Sequence, residues 1–187
     1  MRTAARPRQT GRVTVTPDRP RLPRSPAARV AVRPYGHPDV QLLVEGLQQL
    51  YVEIYGGRDE SPIDAAEFEP PRGSFVVAYL PGAEADGGAE AAEVPAAMGA
   101  WRLLPDGRAE LKRMFVLPEH RGRGLSRQVL GVLEESARAS GVAWMVLETN
   151  TAHPEAIRLY ESAGYRPIAA YGHYADEPET VSLGTLL

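Results

Sequence analysis

The sequence has no cysteine, only one lysine among its 21 basic residues (Lys112), and no long apolar run. Without cysteine there is no disulfide framework, no thiolate metal site and no cysteine nucleophile. The longest apolar stretches, Phe75 to Pro81 and Val142 to Leu147, fall far short of the roughly 18 residues that a membrane span needs, so no membrane partner is expected. Histidine is also scarce. His37, His120, His153 and His173 are the only four, and no pair has ligand spacing, so no metal site is expected. The preponderance of arginine over lysine, with abundant alanine, reads as GC-rich coding and carries no functional information. What is present is ordinary for a folded protein: 187 residues, 43% hydrophobic and 24% charged, which excludes wholesale disorder and fibrous classes. The length suits one domain, or one domain with a tail.

The net charge of −3 conceals an asymmetry. Residues 1–29 hold eight arginines, five prolines and one acid, Asp18, whereas residues 30–187 hold 13 basic and 23 acidic residues. The first segment has almost no large apolar side chains to offset the entropy of ordering it, so residues 1–29 are expected to form a disordered basic arm. No apolar stretch follows its arginines, so a secretory signal is not expected, and the protein is expected to be cytoplasmic. Such an arm suits an acidic surface. A plain extension or an over-called start site explains it as well, and a nucleic-acid partner is not expected. Residues 30–187 are enough for a single core that buries about two-thirds of the unfolded surface.

Along this part, Arg29–Arg33 alternates like a strand, and Leu43, Leu47, Leu50, Tyr51 and Ile54 fall on one face of a helix that Gly56-Gly57 stops. Ser74–Leu80 is strongly β-prone, and Pro81 to Pro95 reads as a long solvated hairpin loop. Met98–Leu104 and Ala109–Leu117 are two strands joined through Pro105-Asp106-Gly107. Leu125, Val129, Leu133 and Ala137 mark a second amphipathic helix, Ala143–Leu147 a buried strand, and Pro154–Ala163 a short helix with Pro154 at its start and Gly164 after its end. Tyr165–Tyr171 and Thr180–Leu186 complete the set as strands. The order β-α-β-β-β-α-β-α-β-β is that of a mixed α/β (α+β) domain.

Two local irregularities bear on chemistry. Between Leu117 and the second helix lies Pro118-Glu119-His120-Arg121-Gly122-Arg123-Gly124. The glycines allow positive φ and close approach of backbone N–H groups, the helix start supplies unpaired donors and partial positive charge, and Arg121, Arg123 and Arg127 add forked donors. Together they form an anion cradle suited to a diphosphate, although neither the dinucleotide nor the P-loop fingerprint is met. The same residues also suit a plain strand-to-helix turn with solvated arginines. In the preceding strand, polar and apolar residues alternate through Arg113, and then every residue from Met114 to Leu117 is apolar. That break marks either a β-bulge or full burial of the strand end.

The strand Glu110-Leu111-Lys112-Arg113-Met114-Phe115-Val116, followed by Arg121-Gly122-Arg123-Gly124-Leu125-Ser126 opening a helix, resembles the GNAT superfamily of N-acyltransferases. The segment from Ala156 through Tyr160 to Gly164-Tyr165 resembles the family's Ala-x-x-x-Tyr…Gly-Phe/Tyr signature. The similarity covers about Ala109 to Pro167 and implies a GNAT-like fold, a central, mostly antiparallel mixed sheet flanked by helices. It implies acetyl-CoA as co-substrate and acetyl transfer to an amine by direct attack in a ternary complex. On the resemblance, Arg121, Gly122, Arg123, Gly124, Leu125, Ser126 and Arg127 hold the coenzyme diphosphate, with Ser126 in place of the usual Gly or Ala. Met114, Phe115 and Val116 pair with the pantetheine arm, and the Met114 N–H polarises the thioester carbonyl. Many members carry an Asn where this chain has His153, which leaves Asn150 as the candidate for that contact.

An alkyl amine of pKa ~10.4 is neutral in about one molecule in 2,500 at pH 7, and removing its proton costs about 4.6 kcal/mol, so a base within reach helps. For an α-amine of pKa ~8 the cost falls to about 1.4 kcal/mol. Glu110 occupies the place where some family members have that base, and it also suits an ordinary strand carboxylate. Tyr160 matches the family tyrosine that protonates the departing thiolate, and it also suits core packing beside Ala156 and Ala163. The fold's acceptor groove would be lined by Glu53, Tyr55, Tyr171, His173 and Tyr174, with Asp176 nearby. Tyr171–Tyr174 equally suits a surface loop with two packed tyrosines. The acidic balance of residues 30–187 points to a small cationic amine, amino acid or peptide as acceptor. A non-catalytic acyl-CoA-binding regulatory module, keeping Arg121 to Arg127 without turnover, is the alternative. A nucleic-acid-binding protein dependent on the basic arm is a third reading, and it predicts salt-sensitive binding lost on removing residues 1–29. The protein is expected to be a monomer or homodimer.

Overall fold

In the computed structural model, residues 28–59, 63–82, 92–172 and 174–187 are described, and among them seven strands and three α-helices follow in the expected order. The basic arm lies outside the described residues except for Ala28 and Arg29, and Arg29 opens the first strand, β1 (Arg29–Val32). Helix α1 (Pro38–Tyr55) starts on His37, whose ring accepts the Asp39 N–H, and ends at Gly56 with φ 76°. The strands β2 (Gly73–Pro81), β3 (Glu93–Leu103) and β4 (Ala109–Val116) form an antiparallel meander. Helix α2 (Leu125–Ala139), β5 (Trp144–Asn150), α3 (Pro154–Ser162), β6 (Arg166–Pro167) and β7 (Thr180–Leu186) complete the chain.

The strands make one sheet in the order β1-β2-β3-β4-β5-β7-β6, antiparallel throughout except where β4 meets β5. That parallel contact is only two pairs long, Ala109 with Met145 and Glu110 with Val146. Beyond Glu110 the two strands separate, which opens the sheet in its middle.

Each face of the sheet carries its own core. On one, Leu43 and Leu47 of α1 pack with Phe68, Phe75 and Met98; on the other, Val129 and Leu133 of α2 pack with Trp101, Met145, Leu147 and Tyr165. Strand β2 faces both, which is why seven residues from Ser74 to Leu80 are buried without alternation. Full burial of one such side chain is worth roughly 1.5–3 kcal/mol.

Two expectations change. The hairpin loop drawn across Pro81 to Pro95 is shorter, since Pro81 pairs with Glu93 and Tyr79 with Pro95. Pro95 has no N–H to give to the ladder, and it is tolerated because the register shifts between Ala78 and Tyr79. The strand drawn over Tyr165–Tyr171 shrinks to Arg166–Pro167 with one further bond, from the Ile168 N–H to the Ser182 carbonyl. Tyr171 does not continue the strand, because its ring is drawn in beneath the Arg108 guanidinium, 4.8 Å away.

Candidate active site

The glycine turn has the geometry its sequence demanded. Gly122 and Gly124 both sit at φ 76°, and a Cβ on either would protrude into open space. Gly124 is the N-cap of α2 and offers no side-chain acceptor. The Gln128 N–H closes the first helical bond onto the Gly124 carbonyl, so the N–H groups of Leu125, Ser126 and Arg127 have no acceptor among the described residues. These open donors beside empty space fit an anionic group such as a diphosphate.

From this turn a cleft of about 700 Å³ runs along β4 and between β4 and β5. Met114, Phe115, Val116, Arg121, Gly122, Gly124, Leu125 and Ser126 line it. Three expected coenzyme residues do not. Arg123 is exposed outside the lining; Arg127 donates from Nη2 to Ser162 Oγ at 2.7 Å and so ties α2 to α3; and Asn150 accepts the Ala152 N–H at 2.8 Å, using its side chain to form the turn before α3.

The break in the β4 pattern is a bulge. Strand β3 pairs Met98 with Phe115 and Ala100 with Lys112, so Gly99 alone faces Arg113 and Met114. Two residues cannot both complete a ladder against one, so a backbone N–H is left out of the pairing at this point. Arg113 takes φ 57° there, the one positive φ outside glycine among the described residues.

Of the two catalytic candidates, Tyr160 lines the cleft and Glu110 does not. Tyr160 is 5% exposed with its ring 5.6 Å from that of Tyr165, so it is both a core residue and part of the cleft wall. Burial, and secondarily Tyr51, raises its pKa well above that of a free phenol. Glu110 is 2% exposed, and its two oxygens are held by Arg102 Nε at 2.8 Å and Lys112 Nζ at 3.2 Å. Arg102 also reaches Glu67 at 2.7 Å, and these two carboxylate bonds raise its pKa against the opposing effect of burial. Four acidic residues line the cleft, Asp59, Glu67, Glu148 and Glu155, and of these Glu148 is the one on β5; the sequence reading missed it. A Cβ on Gly172 (φ 79°) would lie 2.9 Å from Glu148 Oε2, so the loop after β6 packs directly on this carboxylate.

The acceptor candidates are divided. Tyr174 lines the cleft and donates its hydroxyl to Asp59 Oδ1 at 3.1 Å. Glu53 is exposed on α1 away from the lining, and His173 lies outside the described residues. Asp176, exposed in the turn before β7, is also absent from the lining. Tyr171 is turned into the protein, where burial first, then Glu110 and Glu148, raise its phenol pKa. Tyr55 is outside the lining but bonds His153 Nε2 at 2.7 Å, and His153 does line the cleft, so the pair bridges α1 and the start of α3. Tyr51, Asp59 and Arg113 were also missed. Burial pushes the Tyr51 phenol up to about 12, and Arg113 Nη1 meets Asp59 Oδ2 at 2.6 Å.

Comparison with known proteins bears on the family and the fold. The family model for the acetyltransferase (GNAT) family matches residues 44–165. An IAA acetyltransferase of Azospirillum brasilense is 29% identical over 136 residues, 73% of this chain and 82% of that protein. The N-acetylaspartate synthetase of Rattus norvegicus is 30% identical over 73% of this chain but only 42% of its own length. Several further relatives are matched over 28% to 58% of their lengths. Among solved structures, a GNAT-family acetyltransferase of Staphylococcus aureus superposes with a TM-score of 0.62 at 17% identity, covering 85% of this chain and 99% of that one, which speaks for the fold. Fold, cleft and family match together define an acyltransferase. The chain belongs to the GNAT acetyltransferase family.

Proposed function

We propose that the protein transfers an acetyl group from acetyl-CoA to the amine of a small molecule, amino acid or peptide, by direct attack within one complex. The observation that carries this reading is the continuity of the cleft, which joins the open N–H donors of the Gly122–Gly124 turn to the bulge at Arg113–Met114. When bound, the coenzyme supplies an activated thioester. The turn and the start of α2 hold its diphosphate, with Arg121 adding charge. The edge of β4 from Met114 to Val116 pairs with the arm, and the Met114 N–H stabilises the negative charge that develops on the carbonyl oxygen without reorganising.

Glu148 takes the amine proton, directly or through water, because it stands on β5, the strand that parts from β4 to open the cleft. Glu110 is assigned instead to holding Arg102 and Lys112 in place. Tyr160 gives its proton to the leaving sulfur; its raised pKa keeps it protonated across the working range. Two relatives are named for acetylated products or acceptors of small size, an IAA acetyltransferase and an N-acetylaspartate synthetase, which supports a small acceptor. The test is calorimetry with acetyl-CoA and free coenzyme A, followed by an amine panel read by thiol release and mass spectrometry. Failure to bind either coenzyme form at millimolar concentration would overturn the reading.

A further inference from the structure

Arg113 is 6% exposed at its side chain, yet it forms part of the cleft wall. Its backbone is held at φ 57°, a conformation that costs free energy for any residue with a Cβ and persists only where its surroundings enforce it. Only Nη1 is engaged, by Asp59; the Nε/Nη2 edge has no partner among the described residues. That edge is the pair of parallel N–H donors that matches a carboxylate. Neither nitrogen is among the fully buried polar atoms left without a partner, so this edge is reachable from the cleft and open to an acceptor there.

Asp59 cannot be that acceptor's competitor. Its carboxylate is already held by Arg113 and by Tyr174, and its backbone N–H and carbonyl are clamped by Gln48 at 2.9 and 3.2 Å. It aims Arg113 into the cleft and balances one charge. Around them Arg102, Lys112 and Arg113 stand against Asp59, Glu67 and Glu110, so the charges at this end are matched. A zwitterion leaves that balance intact, whereas a polyamine brings no carboxylate to pair with Arg113 and adds a second positive charge beside the one its reacting amine carries. The α1 side of the same cleft is apolar, lined by Leu47, Leu50, Ile63 and Phe68.

We infer that the acceptor is an amino acid with an apolar side chain, its carboxylate seated on the Nε/Nη2 edge of Arg113 and its side chain against α1. This rests on the acetyltransferase reading and narrows its acceptor. Purified full-length protein with acetyl-CoA is assayed on phenylalanine, leucine, phenylalaninamide, aspartate and putrescine. The expected result is a kcat/KM for phenylalanine at least ten-fold above that for phenylalaninamide. Arg113→Gln then raises KM for phenylalanine ten-fold or more, while KM for the amide and the Kd for acetyl-CoA stay within two-fold. Equal kcat/KM for acid and amide in the unaltered protein overturns the inference whatever the variant does, and leaves the transferase reading standing. Preference for aspartate or putrescine overturns it too. No turnover of any amine, together with no coenzyme binding, overturns both.

Discussion

Gly99 of β3 lies opposite the bulge of β4, and a Cβ placed on it would stand 2.5 Å from Met114 Sδ. The same atom would meet Val129 at 2.7 Å and Leu133 at 2.9 Å. The absence of a side chain at Gly99 is therefore what lets Met114 and the α2 core occupy one space, and it joins the stability of the sheet to the shape of the cleft.

Gly99→Ala accordingly costs about 1–3 kcal/mol by overpacking. Urea denaturation should show the lowered midpoint. Because Met114 must shift to make room, kcat/KM should fall further than the loss of folded protein explains.

Gly124→Ala tests the cradle. At φ 76° an alanine costs roughly 1 kcal/mol, and its methyl projects into the open space where a diphosphate would sit. Calorimetry should register weaker coenzyme A binding, by ten-fold or more, with a small change in thermal midpoint.

The two carboxylates should separate in their effects. Glu148→Gln is expected to lower kcat about 100-fold, the scale of general-base assistance, with part of the rate regained at high pH as the amine loses its own proton. Glu110→Gln leaves Arg102 and Lys112 short of a partner and should cost about 1–3 kcal/mol of stability with a smaller change in kcat. A pH–rate profile beside a melting curve for each variant distinguishes the roles; the reverse pattern would return the base to Glu110.

Tyr160→Phe removes one hydroxyl and leaves the ring packed on Tyr165. Turnover should drop by ten-fold or more with little change in the Kd for acetyl-CoA. Unchanged kcat in steady-state assays would remove Tyr160 from the proton path.

Alkaline lability is expected from the tyrosines. Burial pushes Tyr51 from its ordinary value near 10 to about 12, and Tyr160, Tyr165 and Tyr171 are raised as well. Each phenol holds its proton more tightly folded than unfolded, so its contribution to stability is complete below pH 10 and is lost as pH rises from 10 toward the folded-state value. Melting temperatures followed by circular dichroism should be flat with respect to these groups up to pH 10 and fall above it, in step with tyrosinate absorbance.

Much of this architecture was readable in the chain because its signals are local. Leu125, Val129, Leu133 and Ala137 recur at the helical spacing whatever they pack against, and all four are buried. Gly122 and Gly124 announced a turn of positive φ because no other residue takes that backbone without cost. The pattern break after Arg113 marked the place of the bulge, though not its choice over plain burial, which needed Gly99 on the neighbouring strand.

Sequence alone thus determined the order of elements and the positive-φ glycine turn before α2, each written in residues a few positions apart. Tertiary structure alone decided which charged groups reach the cleft. Glu110 and Glu148 are both strand carboxylates, and only the parting of β4 from β5 buries one between Arg102 and Lys112 and leaves the other on the wall. Asp59 and Arg113 are 54 positions apart, and their pairing exists only because the connection after α1 crosses the bulge. The reason is physical: backbone geometry follows from neighbours in the chain, whereas the solvation and partners of a charge follow from whatever the fold brings beside it.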